Sequence, residues 1–369
     1  MYLKELQISN YKNYETASLA FIDKVNAIVG ENGSGKTNLL DAVHYLALCK
    51  SHLTSQDKNV VRFGADFFAL HGVYCGFDDQ RTRTISCTYK VEGHKILKIN
   101  QKAYNRLSDH IGQYPLIMVS PTDSNLIHEG SDIRRKFVDL IISQFDKEYL
   151  HSLIAYQKIL NQRNIILKQF RETGNFDSTL LQIYNQQLIP NGQYIYQKRE
   201  AFSIEIIPIF QKYYEYLSES KEKVHITYQT SLNTIPFEQS LQQSEPNDFL
   251  LGHTTVGIHK DDFLFLMDEH AVKLFSSQGQ QKSFTLALKL ALFDFIFSRT
   301  HIKPILLLDD IFDKLDEKRT AQLLALVGQE HFGQVFLSDT DESRITRILN
   351  THHIQHQIIH IPIKSDEEE

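Results

Sequence analysis

The run GENGSGKT, Gly30–Thr37, constrains this chain more tightly than any other stretch of its 369 residues. It matches the spacing G-x-x-x-x-G-K-[ST] and stands where that spacing has a mechanism, after the apolar run NAIV and before the helical pattern TNLLDAVHYLAL. Gly30, Gly33 and Gly35 permit the tight backbone turns that aim successive N–H groups inward at the positive end of the following helix, where an anion is held. The positions Gly30, Glu31, Asn32, Gly33, Ser34, Gly35, Lys36 and Thr37 are therefore expected to bind the phosphates of ATP. Lys36 is expected to reach the β and γ phosphates, and Thr37 to hold Mg2+ through its hydroxyl.

A second half of such a site requires an acid at the end of a buried strand, and KPILLLDDIFDKLD, Lys303–Asp316, supplies it. Proline, four apolar residues and then two acids is how a buried parallel strand delivers charge at its C-terminal edge. Asp309 is expected to be the carboxylate on the Mg2+ side, and Asp310 the catalytic residue that orients or deprotonates water. Two acids closing an apolar strand are costly without a cation or a partner. Cys49, Cys75 and Cys87 are too few and too scattered for a disulfide framework or a Cys-rich metal site, and the histidines, His253 and His259 included, show no ligand spacing. ATP and Mg2+ are the only cofactors expected.

Pattern divides the chain into an N-terminal head segment (1–131), a mainly helical insertion (132–248), a C-terminal head segment (249–364) and an acidic tail (365–369). In the first, short apolar runs alternate with turns: VNAIVG, FALHGVYCGF, TISCTYKV, KILKIN and PLIMVS. Ile85, Cys87, Tyr89 and Val91 fall on one face of TISCTYKV and EGHK supplies a turn, which predicts an antiparallel sheet. The insertion carries Leu153, Leu160 and Leu167, flanked by Ile159 and Ile166, at helical spacing, and reads as a helical hairpin. RETGNFDST, Arg171–Thr179, offers a glycine stop and Asp or Ser caps, while Pro190 and Pro208 should kink or divide the returning arm.

The stretch FSSQGQQKSF, Phe275–Phe284, could be a helix-capping turn if it stood alone. Aligned with the L-S-G-G-Q signature of ABC-type ATPases, however, Ser277 falls on the serine, Gly279 on the second glycine and Gln280 on the glutamine. The helical pattern QKSFTLALKLALFDFIF follows at once, which places the stretch at a helix N-terminus, a second anion site. The resemblance implies a head-to-head homodimer in which these residues cap the nucleotide of the partner subunit.

With these motifs in order, the chain resembles the RecF family, relatives of the SMC and Rad50 heads, over nearly its whole length. LQISNYKNY is similar to the family's L-x-x-F-R-N-Y opening, with Tyr11 and Lys12 at the Phe and Arg positions. SPTDSNLIHEGSDIRRKFVD, Ser120–Asp139, keeps Pro121, Asp123, Arg134, Arg135, Phe137 and Asp139 of a further family stretch, and GIHKDD, Gly257–Asp262, resembles G-P-H-R-D-D. Ser131 stands in place of proline and Lys260 in place of arginine. DKLD replaces the S-E-L-D of the D-loop and leaves Leu315 and Asp316, so Asp316 joins the nucleotide-binding residues by resemblance.

The resemblance implies an α/β fold, an ABC-type P-loop ATPase head of SMC and Rad50 kind with an inserted, mainly helical arm. It implies slow, DNA-stimulated hydrolysis used as a switch. It further implies binding of double-stranded DNA beside single-stranded gaps and action with RecO and RecR in placing RecA during recombinational repair and replication restart. A short SMC-like or OLD-type repair ATPase is the alternative, although SMC and Rad50 heads carry much longer coiled coils and no chain remains for the nuclease of OLD proteins. A transporter ATPase is disfavoured because VFLSDTD puts Ser338, Asp339 and Thr340 where its switch histidine would lie.

The net charge of −6 excludes an overall positive field, so contact with DNA must rest on local patches. Lys95, Lys98, Lys102 and Arg106 form one candidate cluster, Arg134, Arg135 and Lys136 a second, and Lys158, Arg163, Lys168 and Arg171 a third. Solvated faces carry the same residues, and Arg134 and Arg135 are equally suited to pair with acids inside the head. No apolar run of transmembrane length and no leader-like N-terminus is present in the sequence, and a cytoplasmic location without membrane partners is expected.

Overall fold

Runs with no polar face are buried on both sides, and VNAIV, LIMV, ILLL and VFLSD meet that condition together. In the computed structural model they are β3 (Val25–Val29), β8 (Leu116–Val119), β12 (Ile305–Leu308) and β13 (Val335–Asp339), joined by β14 (His356–His360) in a parallel sheet of order β14-β3-β13-β12-β8. The structure describes residues 1–77, 79, 81–219, 222–312 and 317–362, except the side chains of 317 and 318. These residues group into two units, Met1–Asp123 with Leu288–Glu369, and Ser124–Ala287. The second unit is wider than the expected 132–248 insertion and takes in the SSQGQQK stretch.

The first unit also holds a six-stranded antiparallel sheet, with β1 (Tyr2–Tyr11), β2 (Tyr14–Ala20), β4 (Phe67–Cys75), β5 (Arg83–Lys90), β6 (Ile96–Ile99) and β7 (Lys102–Ala103) in the order β2-β1-β4-β5-β6-β7. Ile85 and Cys87 on β5 are fully buried, as the alternation predicts, while Val91 lies beyond the strand and is exposed. The expected antiparallel sheet thus forms, but VNAIVG and PLIMVS from the same region leave it for the parallel sheet. Helices α1 (Lys36–Leu48), the later part of α9 (Gln278–Thr300), α10 (Glu317–Val327) and α11 (Glu342–Thr351) complete the unit.

The second unit contains α2 (Asn125–His128), α3 (Ser131–Ser143), α4 (Lys147–Thr173), α5 (Ser178–Glu205), α6 (Ile207–Ser218), α7 (Phe237–Leu251) and α8 (Val272–Phe275), with the start of α9. A small antiparallel sheet pairs β10 (Asp262–Met267) with β9 (Val224–Gln229) and β11 (His270–Ala271). Helices α4 and α5 form the expected hairpin. Asp146 and Asp177 cap their N-termini by accepting from Tyr149 N and Leu180 N, and Gly174 closes α4 at φ 74°, in the left-handed region glycine enters freely.

Buried positions on α5 run Leu181, Asn185, Leu188, Gly192, Ile195, Arg199 and Phe202, steps of four and three that make a coiled-coil seam. The matching face of α4 is Tyr149, Leu153, Tyr156, Ile159, Arg163, Leu167 and Phe170. Leu160, expected in that stripe, lies on its half-buried flank with Ile166, and Ile159 is buried in its place. Pro190 does not divide the returning arm: α5 runs through it, and the break comes at Ile206, with Pro208 in the first turn of α6, where a missing N–H leaves no helical bond unmade.

Candidate nucleotide site

β3 ends at Val29, and residues 30–35 lead directly into α1, whose first two residues are Lys36 and Thr37. The helix begins at Gly35 with no side-chain cap, so no capping side chain occupies its first N–H groups. Lys36 Nζ donates to the carbonyls of Gly30 (2.9 Å) and Glu31 (3.1 Å), which lays the ammonium across the loop that it closes. Gly35 is held at φ 115°, and a Cβ there would lie 2.4 Å from Asn13 Nδ2.

Asn13, in the turn between β1 and β2, supports the loop from outside. Its Nδ2 donates to Ser34 O at 3.0 Å, its Oδ1 accepts from Asn38 Nδ2 at 2.7 Å, and the neighbouring Tyr14 hydroxyl donates to Gly35 O at 3.0 Å. Neither residue was expected in the site. Their place at the end of the LQISNYKNY motif was the available signal.

The same motif anchors α1. Lys12 Nζ pairs with the fully buried Asp41 at 2.9 Å, and Tyr11, Ser51 and the His52 N–H also donate to that carboxylate. Burial alone would raise the Asp41 carboxyl. The Lys12 charge and the hydrogen bonds from Lys12, Ser51 and Tyr11 outweigh it, and the group sits below the usual carboxylate range.

Asp309 follows β12, and its N–H donates to Val119 O of β8 at 2.9 Å. The Thr37 hydroxyl donates to Asp309 Oδ1 at 3.0 Å, which joins the loop to the acid. From β13, the strand lying between β3 and β12, Ser338 Oγ reaches the same Oδ1 at 2.9 Å and Asp310 Oδ1 at 3.2 Å, and accepts the Asp310 N–H at 2.8 Å. Asp309 is 2% exposed. Burial pushes its carboxyl up to about 6; the Ser338 hydrogen bond pulls the other way, and the neighbouring Asp310 charge adds to the rise.

A hydroxyl and a carboxylate oxygen on one side of a phosphate loop are the donors a hard divalent cation such as Mg2+ takes, so the residues present fit that ion. Among the described residues no group of three His, Cys, Asp or Glu side chains is placed to hold a metal. Asp339, beside Ser338, is instead committed to Arg344, which donates to both its oxygens at 2.7 and 2.8 Å.

In the second unit, Ser277 precedes α9, and Gly279 and Gln280 lie in its first turn. Ser277 N donates to Gln280 Oε1 at 2.7 Å and Gln280 N to Ser277 Oγ at 3.3 Å, the reciprocal pair of a capping box. Gln280 Nε2 also donates to Glu222 Oε1 at 2.6 Å. Leu315 and Asp316 of the expected D-loop lie outside the described residues.

The basic candidates divide. Arg163 is not a surface residue: it is fully buried in the hairpin seam, bonded to Asp248 (2.7 Å), Asn185 (2.9 Å) and Thr254 (2.7 Å), because a guanidinium inside a seam must find an acid. Arg134 makes a two-point contact with the Asp262 carboxylate, both bonds at 2.8 Å, the pairing with an acid left open by the sequence, whereas Arg135 donates to the backbone oxygen of Asp261 and to the Ser131 hydroxyl. Lys95 pairs with Asp57 at 2.8 Å, and Arg171 donates to Leu251 O at 3.0 Å. Lys98, Lys102, Arg106, Lys136, Lys158 and Lys168 are exposed. Arg199, which the sequence did not single out, is fully buried against Asp139 at 2.8 and 3.0 Å.

No described helix is long and apolar enough to cross a membrane. The RecF/RecN/SMC N terminal domain family model matches residues 2–360. The DNA replication and repair protein RecF of Flavobacterium johnsoniae is 45% identical over 98% of this chain and 100% of its own length. RecF of Bacteroides fragilis is 45% identical over 95% of this chain and 93% of its own. Among solved structures, the recombination mediator protein RecF with ATP, of the RecFOR pathway, superposes with a TM-score of 0.86 at 32% identity, covering 93% of this chain and 92% of that one. An Smc head domain from Pyrococcus furiosus, at 15% identity and a TM-score of 0.54 over 94% of this chain and 91% of that one, shares the fold. With an SMC-like, ABC-type ATPase fold and relatives matched end to end, this chain belongs to the RecF family of DNA replication and repair proteins.

Proposed function

We propose that this chain is an ATP-driven DNA clamp of recombinational repair and replication restart. ATP binds at residues 30–37 with Lys36 toward its β and γ phosphates, and Thr37 and Asp309 would hold Mg2+, which would supply neutralisation of phosphate charge. Asp310 positions or deprotonates the attacking water. Ser277, Gly279 and Gln280 complete the nucleotide site of a second copy, and Asp316 joins them by its D-loop position. The γ-phosphate then lies in the interface, so nucleotide stabilises the dimer and slow hydrolysis releases it.

The clamp engages double-stranded DNA beside single-stranded gaps and acts with RecO and RecR in placing RecA. The observation that carries the nucleotide reading is the Thr37–Asp309 hydrogen bond, which joins the phosphate loop to the strand-end acid. A relative solved with ATP supports it.

Sedimentation of wild type and Asp310→Asn with Mg-ATP or ADP, with and without gapped DNA, tests the proposal. Mg-ATP should produce dimer, and Asp310→Asn should accumulate it. A mutant that stays monomeric at saturating ATP sinks the clamp. Ser277→Arg should abolish dimer while the monomer still binds ATP.

A further inference from the structure

Ser338 occupies a position with more demands on it than one hydroxyl can meet. Its Oγ accepts the Asp310 N–H at 2.8 Å, and its single proton has two acceptors, Asp309 Oδ1 at 2.9 Å and Asp310 Oδ1 at 3.2 Å. The side chain is fully buried, and its backbone is fixed in β13 opposite Ile28 of β3. The next residue, Asp339, is clamped by Arg344. What can turn at this point is the hydroxyl.

We propose that Ser338 is the positioning residue for Asp310 in the hydrolytic step, an assignment that rests on the nucleotide reading of this site. Asp310 stands at φ 44°, in the left-handed region, and the Ser338 oxygen is the bond that holds its N–H there. That bond fixes where the Asp310 carboxylate starts.

The proton is the second control. Asp309 Oδ1 already receives the Thr37 hydroxyl at 3.0 Å. Any ligand that draws on that oxygen leaves the Ser338 proton for Asp310, which steers the carboxylate while it remains a base. Ser338 therefore acts through Asp310 and touches no reacting atom.

The test compares Ser338→Ala, Ser338→Cys and Ser338→Thr. Each is measured for ATP affinity of the monomer by calorimetry, ATP-dependent dimer by sedimentation, and kcat and KM. Ser338→Ala should lose roughly 10- to 100-fold in kcat, below the full worth of a general base because Asp310 is still present. Its ATP affinity measured without Mg2+ should stay within about twofold, because Ser338 reaches the nucleotide site only through the two acids, its loss in kcat should exceed any rise in KM, and dimer should accumulate as in Asp310→Asn.

Ser338→Cys keeps the volume with a weak donor and should follow alanine, which guards against a folding defect in Ser338→Ala. Ser338→Thr keeps the hydroxyl on a strand that favours β-branching and should recover most of the rate. Wild-type kcat in Ser338→Ala or Ser338→Cys overturns the assignment, as does an equal loss in Ser338→Thr. A wild-type chain that binds no ATP overturns the nucleotide reading and this assignment with it.

Discussion

Thr37 and Asp309 stand 272 positions apart in the chain and meet through a 3.0 Å hydrogen bond from the threonine hydroxyl to Oδ1 of the acid. The parallel sheet makes this meeting possible. β3 and β12 run in the same direction with β13 between them, so the loops leaving their C-terminal ends emerge at one edge. The intervening strand contributes Ser338 to the same pair of acids.

Gly35→Ala should damage nucleotide binding more than its size suggests. The residue sits at φ 115°, and its new Cβ would meet Asn13 Nδ2 at 2.4 Å. Left-handed backbone costs an L-residue roughly 1–2 kcal/mol, and the clash displaces the side chain that holds Ser34 O. Calorimetry with a non-hydrolysable ATP analogue should show about tenfold weaker binding or worse. Asn13→Ala should weaken it less, since one support from Tyr14 remains. Unchanged affinity in Gly35→Ala would show that the loop geometry is not required.

Arg163→Ala should destabilise the second unit without acting through DNA. It leaves Asp248 charged and fully buried, a situation that costs about 3–5 kcal/mol. Urea denaturation should report a loss of that size, and Arg163→Met with Asp248→Leu should recover much of it. A loss below about 1 kcal/mol would be the value of an exposed pair and would contradict the burial of this one.

The triple variant Lys98→Gln, Lys102→Gln, Arg106→Gln tests the exposed candidate cluster directly. If these side chains meet phosphates, duplex affinity falls, and the slope of log K against log salt drops by about 0.9 for each contact removed. Fluorescence anisotropy across a salt series reads both. An unchanged slope would move the DNA surface elsewhere.

Histidine titration predicts the acid sensitivity of the first unit. His110 is fully buried between Leu46 O (2.7 Å) and the Tyr104 hydroxyl (3.2 Å), and burial pulls its pKa down to about 4. The unfolded chain takes up this proton near pH 6.5 and the folded chain only near 4, so the stability it confers is complete above about 6.5 and is lost as pH falls between those values. The loss should reach about 2 kcal/mol by pH 5. His110→Gln should flatten the dependence of stability on pH from 7 to 5 by that amount, in denaturation measured at each pH. An unaltered slope would place the ionisation elsewhere.

Local chemistry made the core of this protein legible. A loop that needs turns at fixed offsets, two acids closing an apolar strand, alternation in β5 and a Gly–Asp punctuation between two helices each act over a few residues, so the sequence alone determined them. Those same residues put Lys36 and Thr37 at the start of α1 and Asp309 just past the end of β12. Partners brought together from distant parts of the chain were decided only by tertiary structure. Asn13 became a loop support because a hairpin turn lands on Gly35, and Arg163 left the candidate DNA surface because the three-four seam turned it toward Asp248. Pro190 stayed inside α5 because helix packing outweighed the bond it cannot make. Ser338 gained its place between Asp309 and Asp310 from the order of strands in a sheet, which no periodicity encodes, because strand order is set by which buried faces fit together rather than by any residue's own preference.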